Sequence, residues 1–317
     1  MSRRLIVCAT AIPLVAMLVS GCVSAPTVSP TASAQPSTTA TASPTIGLPL
    51  PTPSTTAPPS AGAPAEALAV TVETFAFSRG DRPLPTTVWY PSTAGRYPVV
   101  VFGHGLGGAP LAYFQLLRRW AAAGFVVAAP AFPHTSFGAP DFTVVDVLNQ
   151  PADLSAVLDG LIALPGDGRV RQRLDITRVA VAGHSAGAIT ALGCFTADGP
   201  QRRDPRFGAA VILAGNTFGM GDAFTGAPAA ILFVHAADDP VVPTFTGRLA
   251  YAAVPWPKAF LTLPSREHTD PYLNPSDPQF DTVVAATTDF LRWRLYGDTA
   301  AAGRLAATSG LENHLAG

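Results

Sequence analysis

Residues 179–189 constrain this chain more than any other stretch. Their sequence is Val-Ala-Val-Ala-Gly-His-Ser-Ala-Gly-Ala-Ile, so an apolar, β-branched run ends in Gly-x-Ser-x-Gly and a helix-favouring run follows. This order predicts a strand, a tight turn and a helix, with Ser185 at the apex of the turn. The turn leaves no room for side chains at Gly183 and Gly187, and the helix directs its N-terminal N–H groups toward Ser185. The stretch therefore predicts a nucleophilic serine beside donors that stabilise a developing oxyanion.

The N-terminal part of the chain has a different character. Residues 1–21 combine a basic start with an apolar run that is too short to span a bilayer comfortably, and Val-Ser-Gly-Cys occupies positions 19–22. The four residues resemble a bacterial lipobox, so we expect a lipoprotein signal peptide and a lipid on Cys22. An ordinary secretory signal followed by an incidental cysteine is the alternative. Residues 22–64 carry no charge and are rich in Pro, Ser, Thr and Ala, which predicts a disordered linker.

Composition limits what the remaining residues can do. The formal net charge is −1 and basic clusters are absent, which argues against nucleic-acid binding. We expect one α/β catalytic domain over residues 65–297 and a C-terminal tail over 298–317. Cys194 is the one cysteine of the domain and is interpreted as a small buried apolar side chain. The expected protein is a monomer held at the cell membrane by its lipid, on the extracytoplasmic (secreted) face.

Apolar runs alternate with helical patterns throughout the domain. The alternation predicts a mostly parallel sheet of about eight strands covered by helices on both faces. Residues 70–77 and 86–90 are expected to open the fold as an antiparallel ribbon with Gly80 in its turn. Residues 215–228 are too few for a large cap domain, so the site should be open. In such sheets, ligands bind at the carboxyl ends of the strands.

A serine nucleophile needs a base and a carboxylate that orients the base. In the strand-turn-helix arrangement the chain order is serine, acid, histidine. Downstream of Ser185, a strand ends shortly before Asp238 and Asp239, and His268 lies in the loop after the last predicted strand. These residues have the required types in the required order.

The oxyanion hole requires two N–H donors. One is the residue after the nucleophile, Ala186, and the other is expected from the glycine-rich loop 104–108, with Leu106 as the donor. A phosphate-binding loop is the alternative for 104–108, but it lacks the Lys-Ser/Thr ending of a P-loop. His104 is interpreted as a brace of this loop, and His184 as a side chain that packs beneath the nucleophile turn.

These motifs together resemble the α/β-hydrolase fold. Residues 102–107 and 124–130 are similar to the branch that contains platelet-activating-factor acetylhydrolases, dienelactone hydrolases and chlorophyllases, with bacterial cutinases and polyester hydrolases. The resemblance spans about residues 69–296. Its Asp-x-Val-Val-Pro pattern at 239–243 implies that Asp239, rather than Asp238, is the acid. The chain departs from polyester hydrolases by having Ala186-Gly187-Ala188 where Met-Gly-Gly is usual.

The resemblance implies a serine hydrolase that cleaves carboxylic esters through an acyl-enzyme, with no cofactor and no metal. Ser185, Asp239 and His268 form the predicted triad. Phe132, His134 and Phe137 are the predicted substrate-binding residues of an aromatic loop over 131–150. An acyltransferase with the same triad and a non-catalytic binding lipoprotein are the alternatives. The sequence does not choose between short acyl esters, acetylated glycans, polyesters and lactones.

Overall fold

A computed structural model describes residues 62–197 and 203–315. Residues 1–61, with the predicted signal peptide, Cys22 and most of the linker, lie outside the described residues. The strands are β1 (Val70–Arg79), β2 (Arg82–Pro91), β3 (Tyr97–Gly103), β4 (Val126–Pro130), β5 (Leu174–His184), β6 (Phe207–Leu213), β7 (Ala230–Ala236), β8 (Lys258–Leu263) and β9 (Leu311–His314). Within the described part of the chain they form one sheet in the order β1-β2-β4-β3-β5-β6-β7-β8-β9.

The sheet is mostly parallel, as predicted. Strands β3 to β8 run in one direction, whereas β1, β2 and β9 form the antiparallel pairs β1–β2, β2–β4 and β8–β9. The predicted opening ribbon is confirmed, since Arg79 pairs with Arg82 across a turn in which Gly80 has a φ of 60°. Because β3 to β8 are parallel, their carboxyl ends meet at one edge of the sheet. The loops that carry the predicted site residues follow these ends.

Helices cover both faces of the sheet. They are α1 (Phe114–Ala122), α2 (Gln150–Ala163), α3 (Arg169–Arg173), α4 (Ala186–Gly193), α5 (Thr244–Ala253), α6 (Asp270–Leu273), α7 (Phe280–Tyr296) and α8 (Thr299–Ala306). Two 3₁₀ helices, Pro110–Tyr113 and Val144–Leu148, lie in the loops after β3 and β4. Among the described residues, no helix has the length and apolar character needed to cross a bilayer.

The two halves of the core follow the alternation of side chains along the strands. In β3, Val99 and Val101 join the core that α2, α4 and α5 cover, while Val100 and Phe102 join the core of α1, α7 and α8. Both faces of the strand are therefore buried, which explains its continuous apolar sequence.

The folded domain extends further than the predicted boundary at residue 297. The expected C-terminal tail contains α8 and the edge strand β9, which pairs with β8. Helix α7 ends at Gly297, whose φ is 73°, and the Asp298 side chain accepts a hydrogen bond of 3.0 Å from the N–H of Ala301 to start α8. Leu305 is fully buried in the core. The short helix and four-residue strand gave no strong periodic signal, because β9 has mostly polar residues.

Candidate active site

The predicted nucleophile turn joins β5 to α4. Ser185 has φ 56° and ψ −121°, a backbone conformation that residues with a side chain rarely adopt. An ideal Cβ on Gly183 would lie 2.1 Å from the carbonyl oxygen of Gly187, and one on Gly187 would lie 2.0 Å from that of Gly103. The two glycines are therefore required by backbone packing. The turn is also held by a 2.9 Å hydrogen bond from the Ser185 N–H to the Leu213 carbonyl.

Three predicted side chains lie in hydrogen-bond contact at this turn. His268 Nε2 is 2.8 Å from Ser185 Oγ, and His268 Nδ1 is 2.7 Å from Asp239 Oδ2. Because a carboxylate accepts hydrogen bonds, Nδ1 carries the proton and the lone pair of Nε2 faces the serine hydroxyl. The arrangement suits a base that removes the hydroxyl proton.

Asp239 is fixed by contacts other than His268. Its Oδ1 accepts hydrogen bonds from the N–H groups of Val241, at 2.8 Å, and Val242, at 2.9 Å. Nε2 of His235 lies 3.5 Å from Oδ2 and donates to the Val242 carbonyl at 2.9 Å. Burial alone would raise the pKa of Asp239, but these neighbours and His268 hold the pKa well below its usual value. Asp239 is therefore a carboxylate at neutral pH.

Asp238 has a different environment. Its side chain is exposed and pairs with the exposed guanidinium of Arg266 at 3.3 Å. Of the two adjacent carboxylates, the structure places Asp239 beside His268 and turns Asp238 toward solvent.

The loop after β3 lies directly against Ser185. An ideal Cβ on Gly105 would be 3.2 Å from Cβ of Ser185. Leu106, the next residue, therefore also lies close to Ser185. Ala186 is the first residue of α4, a position where a helix supplies no acceptor for the backbone N–H. Both predicted oxyanion donors are thus in segments adjacent to Ser185.

His104 braces this loop through both ring nitrogens. Nε2 accepts hydrogen bonds from the Phe132 N–H at 3.2 Å and the Ser136 hydroxyl at 2.9 Å, so Nδ1 carries the proton and donates to the Gly105 carbonyl at 2.8 Å. Burial lowers the pKa of His104 to about 4. The neutral imidazole connects the loop after β3 to the loop after β4.

The predicted substrate-binding residues occupy three different environments. Phe137 is 84% exposed and His134 is half-buried, whereas Phe132 is only 1% exposed and packs on His104 with ring centroids 4.9 Å apart. Phe132 therefore belongs to the core and is not exposed to a substrate, because its ring packs beneath the loop that His104 braces.

The loop after β4 is fixed at its far end by polar residues. Arg82 forms hydrogen bonds to both carboxylate oxygens of Asp146, at 2.8 Å each, and also pairs with Asp153 at 2.6 Å. Gln150 is fully buried and joins Thr135 to Thr190 of α4, with 2.7 Å to each hydroxyl. The loop is thereby attached both to the β1–β2 ribbon and to the helix behind Ser185.

Exposed apolar side chains surround this end of the sheet. The described residues expose a set of large apolar side chains, and most of these lie on the segments after β3, β4, β6 and β7. We call the side chains on these four segments the rim. Its members are Leu106, Leu111, Phe137, Phe142, Val144, Val145, Phe218, Val241 and Phe245. The described residues between β6 and β7 contain no helix, so no cap covers the rim from that side.

Cys194 has a structural environment. Its thiol is fully buried behind the nucleophile turn, and burial raises its pKa, which disfavours the thiolate. Within residues 62–197 and 203–315, no group of three His, Cys, Asp or Glu side chains is placed to hold a metal ion.

The sheet order and the helices on both faces define an α/β-hydrolase fold. The sequence model of the chlorophyllase family, a family of α/β-hydrolases, matches residues 63–203. The match covers less than half of the 317 residues; it includes Leu106 and Ser185 and ends before Asp239 and His268. A search of curated protein sequences gave no match. The predicted resemblance to the chlorophyllase-like branch is confirmed for the matched segment, and it supports a hydrolase that acts on esters.

Proposed function

We propose that this protein is a serine hydrolase that cleaves carboxylic esters through an acyl-enzyme intermediate. The observation that carries the proposal is the contact of His268 with Ser185 at 2.8 Å and with Asp239 at 2.7 Å, on a strained nucleophile turn. A serine hydroxyl is a weak nucleophile until a base takes its proton, and this geometry supplies the base in the correct tautomer.

In the acylation step, Ser185 Oγ attacks the ester carbonyl carbon while His268 Nε2 takes the hydroxyl proton. The N–H groups of Leu106 and Ala186 stabilise the oxyanion of the tetrahedral intermediate. The C–O bond of the ester then breaks, His268 returns the proton to the leaving alcohol, and the acyl group remains on Ser185. In the second step, water loses a proton to His268 Nε2 and attacks the acyl carbonyl carbon. The bond between that carbon and Ser185 Oγ then breaks, His268 returns the proton to Oγ, and the carboxylic acid is released.

The rim supports an uncharged ester with an apolar acyl or alcohol part. Residues 104–113, 131–149, 214–229 and 237–245, which lie around the site, contain no lysine or arginine. The loop that carries His268 adds Arg266, whose guanidinium pairs with Asp238 at 3.3 Å. Phe137, Val145 and Phe245 are each at least 65% exposed and free to cover a hydrocarbon chain.

A fluorophosphonate probe and a panel of p-nitrophenyl esters test the activity. We expect the probe to label Ser185 and the wild type to hydrolyse acetyl, butanoyl and octanoyl esters, but to hydrolyse the anionic succinyl ester poorly. Ser185→Ala should abolish labelling and turnover. Ser309→Ala, which alters an exposed serine between α8 and β9, should change neither. Absence of both labelling and turnover in the wild type would overturn the proposal in favour of a non-catalytic binding protein. Esters formed with an added alcohol would identify an acyltransferase.

We also propose that lipid on Cys22 holds the protein on the extracytoplasmic face of the cell membrane. The described domain begins at the sheet edge opposite Ser185: the Pro64 carbonyl accepts a 2.6 Å hydrogen bond from Arg292, and Pro64 packs on Gly124, just before β4. Cys22→Ala should move the protein from the detergent phase to the aqueous phase of a Triton X-114 extract, whereas Cys8→Ala should not. An unchanged partition of Cys22→Ala would contradict the anchor.

A further inference from the structure

The buried hydroxyl of Tyr113 lies where three parts of the active site meet. It accepts a 3.1 Å hydrogen bond from the N–H of Gly105, next to the oxyanion residue Leu106, and lies 2.8 Å from Nδ1 of His184, next to Ser185. The other ring nitrogen of His184 is 2.8 Å from the carbonyl oxygen of His268. One tyrosine and one histidine thus connect the oxyanion loop, the nucleophile turn and the base.

The proton positions in this chain follow from its two ends. The His268 carbonyl can only accept, so His184 Nε2 carries a proton and donates it. His184 Nδ1 is then an acceptor, and the Tyr113 hydroxyl donates to it while accepting from Gly105. Burial lowers the pKa of His184 to about 3, with a further contribution from His268, so this tautomer is uncharged at neutral pH.

We propose that Tyr113 and His184 are positioning residues that hold the backbone of His268, and through it the contact of Nε2 with Ser185, by this hydrogen-bonded chain. The proposal rests on the proposed function for its effect on catalysis. Neither side chain exchanges a proton with the substrate.

Residues 264–269, which carry His268 and which we call the base loop, need a hydrogen-bond partner from the core because the segment is exposed. Pro264, Arg266, Glu267 and Thr269 are all exposed, and the loop contains no helix or strand residue until α6 begins at Asp270. The rings of His184 and His268 lie 4.8 Å apart, so the donor to the His268 carbonyl also packs against the base. Loss of the donor releases the backbone to which the base is attached.

Tyr113→Phe tests the chain with a change of one hydroxyl group. We expect kcat for p-nitrophenyl butanoate to fall about 10- to 100-fold with KM changed less than about twofold, because the variant misplaces the base without altering the substrate contacts. Tyr272→Phe is the matched control. Tyr272 is equally buried and its ring lies 4.9 Å from that of His184, but its hydroxyl donates to the Val234 carbonyl at 3.2 Å. The control should retain kcat within about twofold.

Two substitutions at His184 separate positioning from packing. His184→Gln keeps a donor that can reach the His268 carbonyl and an acceptor for Tyr113, whereas His184→Met fills the space without either. We expect Gln to retain at least about tenfold more kcat than Met. Equal losses in Tyr113→Phe and Tyr272→Phe, or equal activity of the two His184 variants, would overturn the proposal.

An NMR measurement decides the question independently of activity. In Tyr113→Phe, but not in Tyr272→Phe, we expect a shifted or exchange-broadened resonance for the His268 Nδ1 proton shared with Asp239, in a protein whose circular dichroism is that of the wild type. An unchanged resonance in Tyr113→Phe contradicts the proposal. Suppose that the two variants show this pattern while the wild type neither reacts with fluorophosphonate nor hydrolyses esters. That result would support the positioning chain and refute only the proposed function.

Discussion

The candidate active site has a floor and a rim, and the two differ in how their residues are held. The floor, beneath Ser185, consists of His104, Tyr113, His184 and the glycines of the nucleophile turn; its polar atoms are paired and its backbones touch. The rim consists of apolar side chains directed to solvent, such as Phe137, which is 84% exposed. The floor therefore has one arrangement, whereas the rim side chains have room to adapt.

This difference separates two tasks. The distances between reacting groups depend on the floor, where a displacement of about 1 Å can lower a rate about 100-fold. The rim contributes apolar contact area, whose energy grows gradually with the area covered. We expect substitutions in the floor, and of Asp239 beside it, to lower the turnover of every substrate by a large factor. Substitutions in the rim should have small effects on turnover that depend on the substrate.

The largest expected effect on activity separates Asp239 from Asp238. In Asp239→Asn the amide can donate to His268 Nδ1, which favours the tautomer with a proton on Nε2, and this tautomer cannot take the proton of Ser185. We expect kcat to fall about 10⁴-fold with the fold intact. Asp238→Asn removes an exposed carboxylate and should change kcat less than about twofold. Steady-state kinetics with an activated ester measure both variants. A crippled Asp238→Asn beside an active Asp239→Asn would reverse the assignment.

Backbone packing in the floor predicts a large loss of stability. A Cβ at position 187 would lie 2.0 Å from the Gly103 carbonyl oxygen, so Gly187→Ala must move β3 away from α4. We expect a loss on the order of 3 kcal/mol in the free energy of unfolding, measured with urea. Gly303→Ala is the control: position 303 is an exposed helical site with no atom within 4 Å of a Cβ. This substitution should stabilise α8 by about 0.5–1 kcal/mol. A Gly187→Ala variant as stable as the wild type would contradict the packing argument.

The nucleophile turn could be predicted from sequence because its requirements are local. Gly183, Ser185 and Gly187 lie within five residues, and the preceding strand and following helix have their own patterns. The sheet was predictable for a similar reason, since each buried strand is a short apolar run. The resemblance to a known family implies Asp239 rather than Asp238 as the acid, and the structure has Asp239 Oδ2 2.7 Å from His268 Nδ1.

The Tyr113–His184 contact could not be predicted because it joins residues 71 positions apart in the sequence. Nothing near Tyr113 marks it as different from a core aromatic residue, which it also is, with 2% exposure. The same holds for Arg82 and Asp146, whose pairing depends on how the β1–β2 ribbon meets the loop after β4. Strand β9 has no predictive pattern for another reason: its sequence, Leu-Glu-Asn-His, has one apolar residue.

The floor should also make stability depend on pH. His104 has a folded pKa of about 4, against about 6.5 in an unfolded chain. Above pH 6.5 both states are neutral and His104 contributes nothing. As the pH falls from about 6.5 to 4, only the unfolded state gains the proton, so stability falls by about 1.4 kcal/mol per pH unit. His184, with a pKa of about 3, acts in the same direction.

Urea unfolding between pH 6 and 4.5 measures this slope. Among the residues that the structure describes, no charged side chain is hydrogen-bonded to His104. His104→Gln therefore removes one titrating group and should flatten the slope by about 1.4 kcal/mol per pH unit. Equal slopes in the wild type and the variant would show that His104 takes up its proton in the folded protein.

The smallest expected effect concerns the rim and sharpens its contrast with the floor. Phe137 is the most exposed of the rim side chains, so it contributes to catalysis only when a substrate covers it. Phe137→Ser should lower kcat/KM for the octanoyl ester about 3- to 10-fold, through the apolar contact that is lost, and leave the acetyl ester within about twofold. Ile176 is the matched control, since it is an exposed apolar residue near the start of β5, whereas Ser185 follows the end of that strand. Nine residues of extended chain separate the two positions by about 30 Å, so Ile176→Ser should leave both rates unchanged. Equal losses of Phe137→Ser on the acetyl and octanoyl esters would mean that the rim positions the reacting groups as the floor does, because a side chain that only covers a hydrocarbon tail cannot affect a substrate that lacks one.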